Sequence, residues 1–372
     1  MNKRRNFLIM SSVMLLVPGI TTLYHLMKKI VVNGENRTAG LSNSIWLPNW
    51  RMQKSLVSAL NALQKECVKT VSPFWYEINN RGILIAKPGS DGLYIPDKAT
   101  IDLLKKNGAS VIPAITTTLM PEDFIRIFSA QSAQQRLAEA IRQEVMTNSY
   151  DGIELDLEYI ALTTDIPTAK KVRDIYTDLC RCISSALSFV NKILIITVMP
   201  RWSDGYEVWR DKLMPAVYDY KTLSGIASVL RVMAYDQHAP GSPPGPVAGF
   251  EWVKHICHWT RINVCCTDKV EIGIPLYGRD WGGGKVKEVI YDNVVQLRKM
   301  YPKSEVIYSE TGREETFAYV STAGDRHEVW YSNNQSVTDR LALICSYGFR
   351  GGAFWAASYE NPTLWDAVRV TP

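Results

Sequence analysis

The chain has 372 residues, 46% of them hydrophobic, 10% aromatic and 21% charged, which is ordinary globular material and excludes a disordered or fibrous chain. Its formal net charge of +5 is misleading: five of the 42 basic residues (Lys3, Arg4, Arg5, Lys28 and Lys29) lie in an N-terminal stretch without acids, leaving 37 basic against 37 acidic. A formally neutral body carries no electrostatic footprint for nucleic acid, and that class of partner is excluded.

Residues 1–27 read as an export leader. Asn2-Lys3-Arg4-Arg5 is a basic start, Phe7 to Val17 is apolar, Pro18-Gly19 interrupts it, and Ile20 to Met27 is again largely apolar. Arg4-Arg5-Asn6-Phe7-Leu8 resembles the twin-arginine export motif, R-R-x-F-L. There is no A-x-A cleavage site, so the leader is either a removed signal or a retained membrane anchor through residues 6–27. An apolar stretch of about 21 residues just spans a bilayer. The basic start would keep the N-terminus cytoplasmic and place the body outside, while Lys28 and Lys29 act against that orientation. A buried N-terminal helix is the remaining reading. These features predict an exported protein: periplasmic, in the cell envelope or secreted. Residues 28–43 read as a linker.

From residue 44 onward, strand-like and helix-like stretches alternate. The predicted strands are Ile45 to Trp50, Thr70 to Ile78, Ser110 to Thr116, the stretch after Tyr150, Ile193 to Met199, Ser228 to Tyr235, Val270 to Pro275 and Gly352 to Ala357. Helical patterns occupy Leu56–Leu63, residues 133–147 and residues 169–189. Continuous apolar strands alternating with helices imply parallel β/α units, and eight of them imply a (β/α)8 TIM barrel over residues 44–372. The gap before the last strand is about twice the others and holds Thr316-Phe317-Ala318-Tyr319-Val320 and His327-Glu328-Val329-Trp330-Tyr331. It reads as a helix plus a small, abbreviated β insertion at about residues 286–340. Seven cysteines, odd in number and irregular in spacing, contain no C-x-x-C pair and do not predict a zinc site. Most are expected to be buried thiols, with one or two bridges open.

The most informative stretch is Tyr150-Asp151-Gly152-Ile153-Glu154-Leu155-Asp156-Leu157-Glu158-Tyr159. Acids at 154, 156 and 158 alternate with apolar residues, the period of a strand, and would stand on one face. Neighbouring carboxylates repel and raise each other's pKa. Such a face suits an acid that must hold its proton near neutral pH, a bound cation, or a solvated edge strand.

Asp151-x-x-Glu154-x-Asp156-x-Glu158 resembles the D-x-x-D-x-D-x-E signature of glycoside hydrolase family 18 on barrel strand four, with Glu154 where many chitinases have Asp. Val232-Met233-Ala234-Tyr235-Asp236 resembles the strand-six motif, M-x-Y-D, and Gly273-Ile274-Pro275-Leu276-Tyr277-Gly278-Arg279 the strand-seven motif. Gly351-Gly352-Ala353-Phe354-Trp355 resembles the strand-eight ending, and Ser72-Pro73-Phe74-Trp75-Tyr76-Glu77 resembles strand two of the spore-wall-hydrolase branch. All five occur in the family order.

The resemblance implies a retaining, substrate-assisted glycosidase acting on β-1,4-linked glycans that contain N-acetylglucosamine, either chitin oligomers or peptidoglycan. Glu158 would protonate the glycosidic oxygen and later serve as base. Asp156 would orient the substrate's acetamido group, whose carbonyl attacks the anomeric carbon. Glu154, beneath Asp156, would share a proton with it, and Tyr235 would hydrogen-bond the acetamido oxygen. Trp355 would floor the sugar with Met233 nearby, and Asp236, Tyr277, Arg279 and Trp75 would complete the substrate contacts. No metal or organic cofactor is implied. The alternatives are a catalytically silent glycan-binding protein of the same family and an unrelated, metal-dependent barrel enzyme.

Overall fold

The computed structural model describes residues 40–87, 89, 96–205 and 214–370; the expected leader, most of the linker and any bilayer-spanning segment within residues 6–27 lie outside them. Among the described residues no helix is long and apolar enough to cross a membrane.

The strands, in chain order, are β1 (Ser44–Leu47), β2 (Thr70–Pro73), β3 (Tyr76–Ile78), β4 (Leu84–Ala86), β5 (Ser110–Val111), β6 (Ala114–Thr117), β7 (Gly152–Asp156), β8 (Ile193–Val198), β9 (Val229–Val232) and β10 (Val270–Pro275). They continue with β11 (Tyr277–Gly282), β12 (Lys285–Ile290), β13 (Ile307–Tyr308), β14 (Glu315–Val320), β15 (Arg326–Tyr331) and β16 (Gly351–Trp355). One sheet runs β4-β3-β6-β7-β8-β9-β10-β16-β1-β2-β5, parallel throughout except for the β3–β4 hairpin. It is a TIM barrel. The runs at β8 and β10 are apolar almost without a break because helices cover the outer face and packed side chains fill the inner one.

Two of the expected strands are broken in the middle. Thr70 to Ile78 divides at Pro73 into β2 and β3, and Ser110 to Thr116 divides at Pro113 into β5 and β6. Proline has no N–H for the ladder, so pairing stops at each and resumes beyond it. The broken strands still join the sheet's two ends: β2 pairs with β5, β3 pairs with β6, and the Asp151 and Glu154 amides donate to the carbonyls of Val111 and Pro113.

The outer layer includes α1 (Met52–Gln64), α2 (Lys98–Lys106), α3 (Pro121–Phe128), α4 (Gln131–Thr147), α5 (Ile166–Ser188), α6 (Tyr220–Ile226) and α7 (Phe250–Asn263). α5 follows the strand-four loop. It starts where Asp165 accepts the Thr168 amide at 2.8 Å and proline fills the first turn, and it buries Val172, Tyr176, Leu179 and Ile183. Each such aliphatic burial contributes roughly 1.5–3 kcal/mol.

The insertion is more extensive than its expected boundary at about residue 286. Its five-stranded antiparallel sheet, β12-β11-β15-β14-β13, begins at Tyr277, separated from the end of β10 by Leu276 alone. One face packs on α8 (Tyr291–Met300) through Val289, Val294, Phe317 and Val329. Buried Glu314 ties the insertion to the barrel: it accepts the amides of Val247 and Ala248 and pairs with Arg340 of α9 (Asn334–Ser346) at 2.9 Å. Among the described residues no disulfide joins any of the seven cysteines, and Cys67, Cys180 and Cys257 are buried.

Candidate active site

β7 starts at Gly152 because nothing larger fits: a Cβ there would lie 2.3 Å from the Ile193 carbonyl oxygen of the neighbouring strand. From that start, alternation turns Ile153 and Leu155 to the helices and Glu154 and Asp156 to the barrel interior. The strand ends at Asp156. Glu158 lies beyond it in helical backbone conformation (φ −78°, ψ −42°) and is exposed. The three acids therefore do not share one strand face: two are interior, and the third stands at the C-terminal mouth, where barrel chemistry resides.

Glu154 is fully buried and its oxygens are taken up by donors. Oε1 accepts from Trp46 Nε1 at 2.8 Å and Thr197 Oγ1 at 2.5 Å, and Oε2 pairs with Arg231 Nη1 at 2.5 Å. Arg231, fully buried on β9, also donates to Ser72 Oγ at 2.7 Å and through Nε to Glu271 Oε2 at 2.7 Å. Ser44 Oγ donates to the same Glu271 oxygen, and Arg350 Nε stands 3.4 Å from Oε1. The interior below the mouth thus holds two carboxylates matched by two guanidinium groups. Breaking such a pair by removing one member costs about 3–5 kcal/mol. Glu154, expected to share a proton with Asp156, also accepts three donors on its two oxygens, one of them charged.

Asp156 has no ion pair among the described residues, and its buried Oδ1 has no hydrogen-bond partner. Burial first, then the charges of Glu158 and Glu154, push its carboxyl well above the usual range, while Arg231 and Lys87 oppose the shift. Lys87, at the end of β4, donates to Thr116 Oγ1 at 3.1 Å, and Thr116 is the register partner of Asp156 on β6.

Past the end of β9 come Met233, buried, and Tyr235. The Tyr235 phenol is pushed far up by burial and by Asp156 and Glu158, so it remains a hydrogen-bond donor. Asp236 follows with φ 64°, the left-handed region that Asp tolerates better than most residues. Its Oδ1 accepts from Tyr277 Oη at 2.6 Å and from Arg279, both on the cleft-facing side of β11. Glu288 stands opposite Arg279 on β12, its carboxyl raised by burial.

At the other side of the mouth, the ring of Trp355 lies 5.0 Å from Phe74, 5.6 Å from Trp46 and 6.2 Å from Trp50. Trp50 is 42% exposed at this rim. An exposed acid beside a carboxyl raised by burial, a buried phenol and a cluster of aromatic rings can donate a proton to a bound sugar and hold its ring face.

The sequence profile of Glycosyl hydrolases family 18 matches residues 87–360. The chain belongs to this family. It is a glycoside hydrolase. Among family 18 relatives, the glycosylase YvbX of Bacillus subtilis is 26% identical over 246 residues, covering 66% of this chain and 68% of its own. The cortical fragment-lytic enzyme of the same organism is 22% identical over 302 residues, covering 78% of this chain and 65% of its own. The solved chitinase of Chromobacterium violaceum superposes with a TM-score of 0.76 at 21% identity, over 88% of this chain and 98% of that one, and shares the fold.

Of the family 18 positions expected from sequence, the barrel mouth brings together Asp156, Glu158, Tyr235, Asp236, Tyr277 and Arg279, with Trp355 across from them and Met233 packed below. Trp75 is enclosed. Its side chain is 0% exposed and packs on Tyr150, while the preceding residue, Phe74, joins Trp355. The break at Pro73 resets the alternation, so the aromatic that reaches Trp355 is one position earlier. Sequence reading also passed over Trp46, Trp50, Lys87 and Arg231. A lone charge within the apolar run Val229-Leu230-Arg231-Val232, beside Val270-Glu271-Ile272, was the available signal for the last.

Proposed function

We propose that this family 18 enzyme hydrolyses β-1,4 linkages of N-acetylglucosamine-containing glycans by a retaining, substrate-assisted route. The observation that carries the reading is the pairing of Asp156, buried and biased to the protonated form, with exposed Glu158 two residues on at the barrel mouth. Glu158 gives its proton to the glycosidic oxygen, and the C1–O bond breaks as the carbonyl oxygen of the substrate's acetamido group attacks C1. The positive charge passes to the cyclic oxazolinium, which Asp156 stabilises as it accepts the acetamido N–H. Glu158, now a carboxylate, takes a proton from water as the water oxygen attacks C1 and the oxazolinium C1–O bond breaks, restoring the Glu158 carboxyl and the acetamido group. Tyr235 supplies the hydrogen bond to the acetamido oxygen, the Asp236–Tyr277–Arg279 cluster meets sugar hydroxyls, and Trp355 carries the ring face. Two displacements at C1 retain its configuration.

The names of the bacterial relatives, among them a cortical fragment-lytic enzyme, favour a cell-wall glycan, and the chitinase fold favours chito-oligosaccharides. Mass spectrometry of products from chitotetraose and purified peptidoglycan separates the two. Muropeptide fragments from sacculi support the first. Chitotetraose cleavage with untouched sacculi supports the second. Binding without cleavage of either overturns hydrolysis and leaves a silent glycan-binding protein. We also propose, from the basic and apolar order of residues 1–27, that the barrel works outside the cytoplasm. A phosphatase fused after residue 40, active only on export, tests this.

A further inference from the structure

We propose that Arg231 is a positioning residue of the hydrolytic site, acting on Asp156 from below through Glu154 and through its own charge. This rests on the hydrolytic reading of Asp156 and Glu158 given above. Arg231 is buried on β9, with the Trp46 ring 5.2 Å from its guanidinium carbon. Two of its nitrogens are committed: Nη1 holds Glu154 and Ser72, and Nε holds Glu271. The third, Nη2, is buried with no hydrogen-bond partner. In the same interior, Asp156 Oδ1 is a buried acceptor with no partner. Glu154 and Asp156 are two residues apart on β7 and face the same interior, so the Arg231–Glu154 pair lies one strand step from Asp156.

The groups facing Asp156 are Glu154 and Glu158 on its own segment, Lys87 beyond β4, Arg231 on β9, Tyr235 past β9, Tyr218 ahead of α6, and Tyr176 on α5. Only Glu154 and Arg231 are an ion pair that can be altered without touching the groups assigned to the substrate. Their effects on Asp156 have opposite sign: the Glu154 anion favours the protonated carboxyl and the Arg231 cation favours the carboxylate. Arg231 therefore opposes the raising of the Asp156 carboxyl by burial and by Glu154, and the pair sets where that carboxyl titrates.

The test is a 13C NMR titration of the Asp156 carboxyl in the full chain, beside the pH profile of kcat/KM on chitotetraose, for wild type, Glu154→Gln, Arg231→Met and Arg231→Lys. Glu154→Gln should move the Asp156 titration and the matching limb of the profile to lower pH. Arg231→Met should move both to higher pH, and Arg231→Lys, which keeps the charge, should stay near wild type while losing turnover. A merely structural role lowers activity in all three and moves no titration. If Arg231→Met does not fold, Glu154→Gln decides alone: an unmoved or upward titration overturns the proposal. Wild-type protein inactive on chitotetraose, but with these shifts present, would contradict the substrate reading and leave the coupling standing.

Discussion

Tyr235 lies so close over Gly273 that a Cβ at position 273 would sit 2.7 Å from its Cε1 and 3.0 Å from the Val232 carbonyl oxygen. Neither neighbour is the flexible end of a long chain, so the phenol or the strand must move. Gly273→Ala should cost about 1–3 kcal/mol of stability through overpacking. It should also lower kcat/KM by at least about tenfold, since a displacement near 1 Å in a catalytic group has large effects. Thermal unfolding and kinetics on chitotetraose check the pair. Unchanged kinetics would mean Tyr235 has no part in the site.

Asp236 is held by two donors of different strength. Tyr277→Phe removes one hydrogen bond to a carboxylate, worth roughly 1.5–3 kcal/mol. Arg279→Met removes the charged partner, whose side chain is 12% exposed, and should weaken kcat/KM further than Tyr277→Phe. Glu288, whose carboxyl Arg279 holds down against burial, should titrate still higher in Arg279→Met. A reversed order of the two variants would place the substrate contact on the phenol instead.

Much of this site follows from the sequence and some of it does not, for physical reasons. Acids two residues apart in an apolar run have one arrangement on a strand, so Glu154 and Asp156 were legible as interior neighbours. Glu158 was not legible as leaving the strand, because strand length depends on where β6 and β8 stop pairing. Arg231 needs partners on β7 and β10, and no local pattern connects residues 77 and 40 positions apart. The insertion's first strand carries Tyr277 and Arg279 straight on from β10, so its start merges with the barrel motif. Pro73 and Pro113 marked the breaks in strands two and three, and the first of them explains why Phe74, not Trp75, reaches Trp355.

Asp156 carries a stability cost. Its carboxyl titrates higher in the fold than in the unfolded chain, so folding favours the protonated form. That contribution is complete below the unfolded carboxyl's range, near pH 4, and is lost as pH rises through the raised value. Asp156→Asn should therefore match wild type in acid and exceed its Tm by a few degrees in alkali, while losing activity. Melting curves from pH 4 to 9 check this. A variant less stable than wild type in alkali would mean the buried carboxylate is well compensated there.

The proposed mechanism requires Glu158 to act as the acid in a reaction that keeps the anomeric configuration. Proton NMR of the first products released from chitotetraose, by wild type and by Glu158→Gln side by side, tests it most directly. Wild type should release the β-anomer ahead of mutarotation, and Glu158→Gln should lose at least about 100-fold in rate, the contribution of a general acid. An α-anomer as first product, or a Glu158→Gln variant with wild-type turnover, would contradict it.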